Sequence, residues 1–488
     1  MLGANKLSSA LCWSSLDYFI RFILSFVVTI VLSRILSPEE FGLIALLSLF
    51  FGLAASLSDC GMTAALIQSQ NVKDVDVSTV FWFNILVSIL LVCILYLIAP
   101  WIAFVFNHPI LNNLTKILSS TIVINAIGSV HATLLTKNFN FKTLMKVGSM
   151  TAATSGVVGI SLAMLGYGVW SLAGQALASS IMSTLLLWHY SSWRPLLIFN
   201  INSIIRFLKF GVFICIADVN DVIYNKIYVV VLSRLYGFFQ LGLFHRAYNL
   251  QQVPVGIISG VVDRISFPLF SSLLSDICKL KKMVQFSIKL TMFLCVPVMV
   301  GLIVVADIVI NVTFGEKWID CIPIFQILCF SGILWPMHVV NLSVLKAQGQ
   351  SSIFLRIDVL KKIIGTLVLF LCSFFGVDAL ACGIVLVGII SCIINAYFTG
   401  KSLNYGFMLQ IKDVCPFFFV GSLMSVSVFY LKKYIEMDEP IKLLLLVLIG
   451  SFLYIIIGLV FNIDFFKKII RYIMNNLLNI YKIAIAKI

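Results

Sequence analysis

Charge is what this chain has least of. Only 11% of its 488 residues are Asp, Glu, Lys or Arg, against 61% hydrophobic, and a mean hydropathy of +1.08 leaves too little polar surface to cover a water-soluble globule. Long polar stretches are missing too. Segments of about 5 to 20 residues separate apolar runs of roughly 20, each able to cross about 30 Å of hydrocarbon, so no room remains for a soluble domain. No long outer loop is left to house a catalytic site, and no nucleotide-binding domain surrounds the acid pair Asp74 and Asp76 of "DVD". That pair reads as a short loop that only mimics a metal motif. The twelve cysteines include no C-x-x-C pair, and most lie in apolar runs. Neither a disulfide framework nor a metal site is indicated, and they read as small buried residues. The first apolar run follows Lys6 as a signal peptide's would, but it is too long, contains Asp17 and Arg21, and lacks a small-residue cleavage site. It reads as an uncleaved span.

What is present is a series of about fourteen spans, near 11–33, 41–66, 76–101, 112–134, 143–165, 168–190, 206–232, 243–268, 284–311, 321–345, 353–375, 377–399, 413–431 and 441–462. The fold class is an all-α integral membrane protein. The formal charge of +14 suits nucleic acid at first sight, yet a bilayer protein gathers Lys and Arg on its cytoplasmic side. With the amino terminus in the cytoplasm, 24 of the 34 basic residues fall inside, Arg356, Lys361 and Lys362 among them, and 8 outside, while Arg21 and Lys226 lie within spans. That bias predicts an even number of spans and two cytoplasmic termini, and it accounts for the basicity without nucleic acid.

The chain also repeats. "VLSR" closes the first span at Val31 and the seventh at Val231, 200 residues on, and each copy is followed by Gly-Leu, at Gly42-Leu43 and Gly242-Leu243. "GVWSLAG" from Gly168 and "GVDALACG" from Gly376 each open the last span of a half. Six spans per half is an even number, so the halves enter the membrane from the same side and form parallel repeats. The expected organisation is an N-terminal lobe over 1–200, a C-terminal lobe over 201–402, two extra spans over 403–462 and an amphipathic helix over 463–488 on the cytoplasmic leaflet. Two such lobes suit alternating access around a central cleft; a relic of gene duplication is the plainer alternative.

Charges interrupt spans one and seven: Asp17, Arg21, Asp218, Asp221 and Lys226. Each would cost about 2.5 to 3.5 kcal/mol against lipid, so they must meet water, one another or a ligand. Asp17 and Arg21 stand four apart with the acid first, the favourable order for a helical pair. The 200-residue register sets Arg21 opposite Asp221, so Arg21 is expected to choose between Asp17 and Asp221 across the cleft. A fixed ion pair that only locks helices is the alternative. Asn220, Tyr224 and Asn225 extend the polar stretch of span seven, which is tolerated only where it lines a cavity. Beyond it, "FHRAYNLQQVP" adds His245 and Arg246 among donors that suit sugar hydroxyls or phosphate; solvated helix-end residues would look the same. Asp59 and Gly61 are expected to break span two locally, and Pro254, Pro297, Pro323 and Pro336 to bend later ones.

"LSRILSPEEFGLIALL", "DCGMTAALIQ", "TKNFNFKTL", "GYGVWSLAGQ" and "LGLFHRAYNLQQVP" together resemble the landmarks of Wzx-type polysaccharide flippases of the multidrug/oligosaccharidyl-lipid/polysaccharide exporter superfamily, in the branch linked to lipopolysaccharide and colanic-acid-like export. The resemblance covers nearly the whole chain, although "DCG" stands where many relatives carry an acid, an aromatic and glycine, which leaves the role of Asp59 open. It implies a transporter and not an enzyme, without cofactor, in the bacterial inner membrane. Its cargo would be a polyprenyl-pyrophosphate-linked oligosaccharide, whose head passes through a cationic cleft while the tail stays in lipid. The expected substrate-facing residues are Arg21, Lys226, Arg246, His245, Asn220, Tyr224 and Asn225, with Asp17, Asp218 and Asp221 as charge partners or sites for a coupling proton or sodium ion. The polysaccharide polymerase machinery is a further expected partner. A drug or cation exporter of the same superfamily, or a membrane glycosyltransferase or polymerase, is the rival reading.

Overall fold

A computed structural model of the chain describes residues 4–469 and 471. Among them the backbone forms sixteen α-helices, one short 3-10 turn and no strand. Fourteen helices are long: α1 (Ala4–Ile35), α2 (Pro38–Asp59), α4 (Asp74–Val105), α5 (Ile110–Lys137), α6 (Phe141–Met164), α7 (Val169–Tyr190), α8 (Ile201–Leu235), α9 (Gly237–Ser272), α10 (Ile277–Val304), α12 (Cys321–Ala347), α13 (Ser351–Cys372), α14 (Val377–Leu403), α15 (Phe407–Tyr434) and α16 (Glu439–Val460); α3 (Met62–Gln68) and α11 (Ala306–Thr313) are short. Eleven of the described helices are long and apolar enough to cross a membrane. Helices α1, α8 and α13 match them in length but carry charge in their middle turns: Asp17 and Arg21; Asp218, Asp221 and Lys226; Asp358, Lys361 and Lys362. The chain is a multi-pass, all-α membrane protein.

Local chemistry sets the helix ends. Ser37 precedes Pro38 at the first helical position of α2, and Glu40 reaches back to the Ser37 amide at 2.7 Å, closing a capping box. The break expected in span two is there: Cys60 and Gly61 both take positive φ, 46° and 68°, and end α2 before α3 begins. The "DVD" segment is not a loop. Asp74 and Asp76 lie in the first turn of α4, where Asp76 accepts a hydrogen bond from the Lys73 amide at 3.0 Å, because a carboxylate satisfies amides that a helix start leaves open. The amphipathic helix expected over 463–488 falls largely outside the described residues.

By packing, the chain divides into Met1–His245 and Arg246–Ile488. In the first unit α5 packs on α4 and α7, and α6 packs on α7 and α1. In the second, α12 packs on α10 and α14, and α13 packs on α14, with α15 laid on α10 and α16 on α15. Taken in chain order, α4, α5, α6 and α7 have the neighbour pattern of α10, α12, α13 and α14. The division falls inside α9, so α8, which packs on α2, belongs to the first unit.

The repeated words have a shared place. Each VLSR ends its helix, α1 or α8, with its Leu-Ser pair buried: Leu32 and Ser33, Leu232 and Ser233. The following glycines meet reciprocally. A Cβ on Gly42 would lie 2.0 Å from the Phe238 carbonyl oxygen, and one on Gly242 would lie 1.8 Å from the Pro38 carbonyl oxygen. Positions 38 and 238, like 42 and 242, are 200 apart, so the repeat meets its own copy through a two-fold-like, self-complementary crossing of the starts of α2 and α9. Only a residue without a side chain allows backbones so close.

Candidate functional site

The charged face of α1 is built first. Arg21 donates from Nε and Nη2 to the two carboxylate oxygens of Asp17, both at 2.6 Å, and Nη2 also donates to the Leu144 carbonyl of α6 at 3.1 Å. The i,i+4 spacing brings the pair onto one helical face, and the flat guanidinium fits both oxygens at once. A glycine makes room for it: a Cβ on Gly148 of α6 would lie 1.9 Å from the Arg21 Nε. Arg21 stays 44% exposed and Asp17 19%. Asp221 is not among Arg21's partners, so the expected choice between Asp17 and Asp221 resolves in this structure to Asp17 and the α6 backbone.

Helix α8 carries the second polar group. Gly211, Cys215, Val229 and Leu232 are buried, and Val222 packs over Gly52 of α2, which fixes the face turned to α2. At 100° per residue Asp218, Asp221, Asn225 and Tyr228 fall on an adjoining stripe, at spacings of three and four. Asp218, Asn220, Asp221 and Asn225 are exposed, and Tyr224 is half-buried. Lys226, also half-buried, has neither an ion pair nor a hydrogen bond among the described residues. Tyr228 and His245 meet through the phenol oxygen and Nδ1 at 3.0 Å.

In the second unit, Arg246 is 9% exposed and lies over the rings of Phe314 and Trp318, 5.7 and 5.9 Å from their centroids. Stacking of this kind seats a guanidinium in packing. Arg246 therefore belongs to the interior of its unit and not to an open surface.

Three further arrangements appear in the structure. Asp59 caps the start of α3, accepting from the Thr63 amide at 3.3 Å and its hydroxyl at 2.8 Å, and from Asn84 at 3.4 Å. Asp76, 8% exposed, accepts from the Ser203 hydroxyl at 2.6 Å and pairs with Arg206 at 2.8 Å, tying the start of α4 to α8. On α13, Lys362 pairs with Asp358 at 2.9 Å, and Lys361 stands beside them at mid-helix. About ten residues of helix lie on either side of Lys361 and Lys362. The pair's signal in the sequence is the i,i+4 spacing of Asp358 and Lys362.

Apolar chemistry gathers elsewhere in the second unit. A cavity of about 400 Å³ lies between α10, α15 and α16, lined by Phe293, Pro297, Leu302, Met424, Leu446 and Tyr454 among others. Among the described residues no group of three or more His, Cys, Asp or Glu side chains is placed to hold a metal.

Comparison with known proteins follows the same lines. The chain is 26% identical over 470 residues to the succinoglycan biosynthesis transport protein ExoT of Rhizobium meliloti, covering 93% of each. It is 28% identical over 363 residues to the lipopolysaccharide biosynthesis protein WzxC of Escherichia coli, covering 73% of each. A solved structure of the lipid II flippase MurJ in an inward closed conformation superimposes with a TM-score of 0.75 over 93% of this chain and 99% of that one, at 18% identity, and so shares its fold. Residues 31–323, more than half of the sequence, match the profile of one family: the chain belongs to the polysaccharide biosynthesis protein family.

Proposed function

We propose that this protein flips a polyprenyl-pyrophosphate-linked oligosaccharide from the cytoplasmic to the outer leaflet of a bacterial inner membrane, by alternating access, for the synthesis of a surface polysaccharide. Family membership, the similarity to ExoT and WzxC and the MurJ-like fold support this reading. One observation carries it: Lys226 is a cation within a membrane helix that has no protein partner among the described residues. A diphosphate cannot cross hydrocarbon unaided, and an ammonium that lacks a counter-charge there needs an anion. Each answers the other's cost. Arg21 adds a second cation, held ready by Asp17 and by the Leu144 carbonyl, and the exposed Asn220, Asp221 and Asn225 supply polar contacts for sugar hydroxyls. The α10/α15/α16 cavity has the apolar lining that a prenyl chain fits.

In this reading both termini face the cytoplasm, and a proton or sodium ion coupled to transport would use Asp218 or Asp221. Hand-over to a polysaccharide polymerase follows on the outer side. Deleting the gene and identifying the lipid-linked oligosaccharide that accumulates on the inner leaflet tests the proposal. Accumulation of none, with surface polysaccharide intact, would end it. A drug or cation exporter is the rival; an Arg21→Ala variant that keeps full activity would favour it.

A further inference from the structure

We infer that residues 195–200, the unwound segment between α7 and α8, form a wedge lodged at the headgroup–acyl boundary of one leaflet, and that with Lys209 of α8 they hold a phospholipid with an acidic headgroup.

A stretch without helix or strand ordinarily turns polar side chains outward. This one reads "PLLIFN", and its apolar side chains stand exposed, Leu197 at 89% and Phe199 at 49%. Lipid accepts such side chains but not an irregular backbone whose polar groups lack partners. Partners for three of those groups come from α4. The Leu196 amide donates to the Ser78 hydroxyl at 3.0 Å, the Leu196 carbonyl accepts from Trp82 Nε1 at 2.8 Å, and the Asn200 amide donates to the Thr79 hydroxyl at 3.1 Å. Pro195 has no amide hydrogen to satisfy.

The same bonds set the depth. Ser78, Thr79 and Trp82 follow Asp74, the first residue of α4, by four, five and eight positions, so the segment runs about 6 to 12 Å inward from that helix start at 1.5 Å per residue. Interfacial segments lie about 5 to 10 Å deep. Trp82, Trp188 and Trp193 pack on one cluster there, with the ring type that marks this level of a membrane. The apolar surface continues along α8: Ile201, Ile205, Val212, Ile216 and Ile223 are exposed and fall within about 60° of one another around the helix. That stripe is about 33 Å long at 1.5 Å per residue, close to the roughly 30 Å of a hydrocarbon core. Its length fits acyl chains and not a docked protein.

Charge selects the headgroup. Arg206 is balanced by Asp76 at 2.8 Å. Arg194 donates to the carbonyls of Trp188, Ser191 and Trp193 and meets no carboxylate among the described residues. Lys209, exposed, has neither ion pair nor hydrogen bond among them. It stands beside the apolar stripe about two turns into α8, from where a long side chain reaches back to a phosphate. Two cations without a counter-charge at one helix start suit an anionic lipid.

The test places p-benzoylphenylalanine at position 197 of the full-length protein, in nanodiscs of equal phosphatidylglycerol and phosphatidylethanolamine. After irradiation, intact-mass spectrometry should find phospholipid adducts, phosphatidylglycerol about fivefold ahead, which is what one lysine near an anionic surface is worth. The label at 71, in the polar segment before α4, should give no adduct. Lys209→Gln should bring the two lipids level while keeping the total. The label at 199 replaces one ring by another and should repeat the pattern, so a misfolded variant at 197 does not end the test. Absence of lipid adducts at both 197 and 199, or crosslinks to protein there, would overturn the wedge. Equal labelling by the two lipids with Lys209 in place would overturn the headgroup assignment.

Discussion

Replacing Gly42 or Gly242 by alanine tests the crossing where the repeat meets its copy. A new Cβ at 42 would sit 2.0 Å from the Phe238 carbonyl oxygen, and at 242 it would sit 1.8 Å from that of Pro38. Ordinary contact begins near 3.4 Å, so the two helix starts must part by about 1.4 to 1.6 Å. The obstructing atoms are backbone, and no side-chain rotation relieves them. Overpacking of this kind costs about 1 to 3 kcal/mol. For a unit of some 245 residues that corresponds to a loss of roughly 2 to 12 °C in midpoint, at about 2 to 4 °C per kcal/mol. The double variant decides the matter. Once the helices have parted for one methyl, the second meets little resistance, so the combined loss should fall well short of the sum. The assay is thermal unfolding of the detergent-purified protein followed by size-exclusion chromatography. Gly260→Ala is the control, because nothing lies within 4 Å of its new Cβ, and it should unfold within a degree or so of wild type. Additive losses, or an equal loss in Gly260→Ala, would refute the reciprocal crossing.

Three more outcomes follow from the geometry. Gly148→Ala should evict the Arg21 guanidinium, lowering transport while costing only about 0 to 1 kcal/mol of stability, because an exposed pair contributes little; normal transport rates in vesicles would contradict the role given to Arg21. Lys226→Met should fold at least as stably as wild type, since it removes a charge without a counter-ion, yet move lipid-linked oligosaccharide at least about tenfold more slowly; a fall in stability with transport intact would reverse the argument. Asn341 and Gln410, both fully buried, exchange hydrogen bonds at 2.9 and 3.0 Å between α12 and α15. Leucine at either should cost about 1 to 3 kcal/mol by stranding the other amide, and leucine at both should cost less than the sum, as read by thermal unfolding.

The Wzx-type resemblance and the all-α membrane class were legible early because they are written along the chain. Span length, the alternation of apolar runs with short polar segments and a 200-residue echo survive without knowledge of contacts. The charged turns of α1 and α8 could be found the same way, since any charge inside an apolar run is an anomaly whatever it faces. The pairing on α13 is a different matter, because a span drawn by hydropathy over 353–375 does not say that Asp358 meets Lys362.

Sequence alone determined that this chain is an all-α membrane protein, because burying apolar helices in lipid depends on composition and length. Tertiary structure decided who partners whom. Register set Arg21 opposite Asp221, but the short i,i+4 route to Asp17 and the space above Gly148 gave it other partners; likewise Arg246 went to Phe314 and Trp318 in its own unit's interior. Electrostatic partnership falls off over a few ångströms, a scale on which distance along the chain says little.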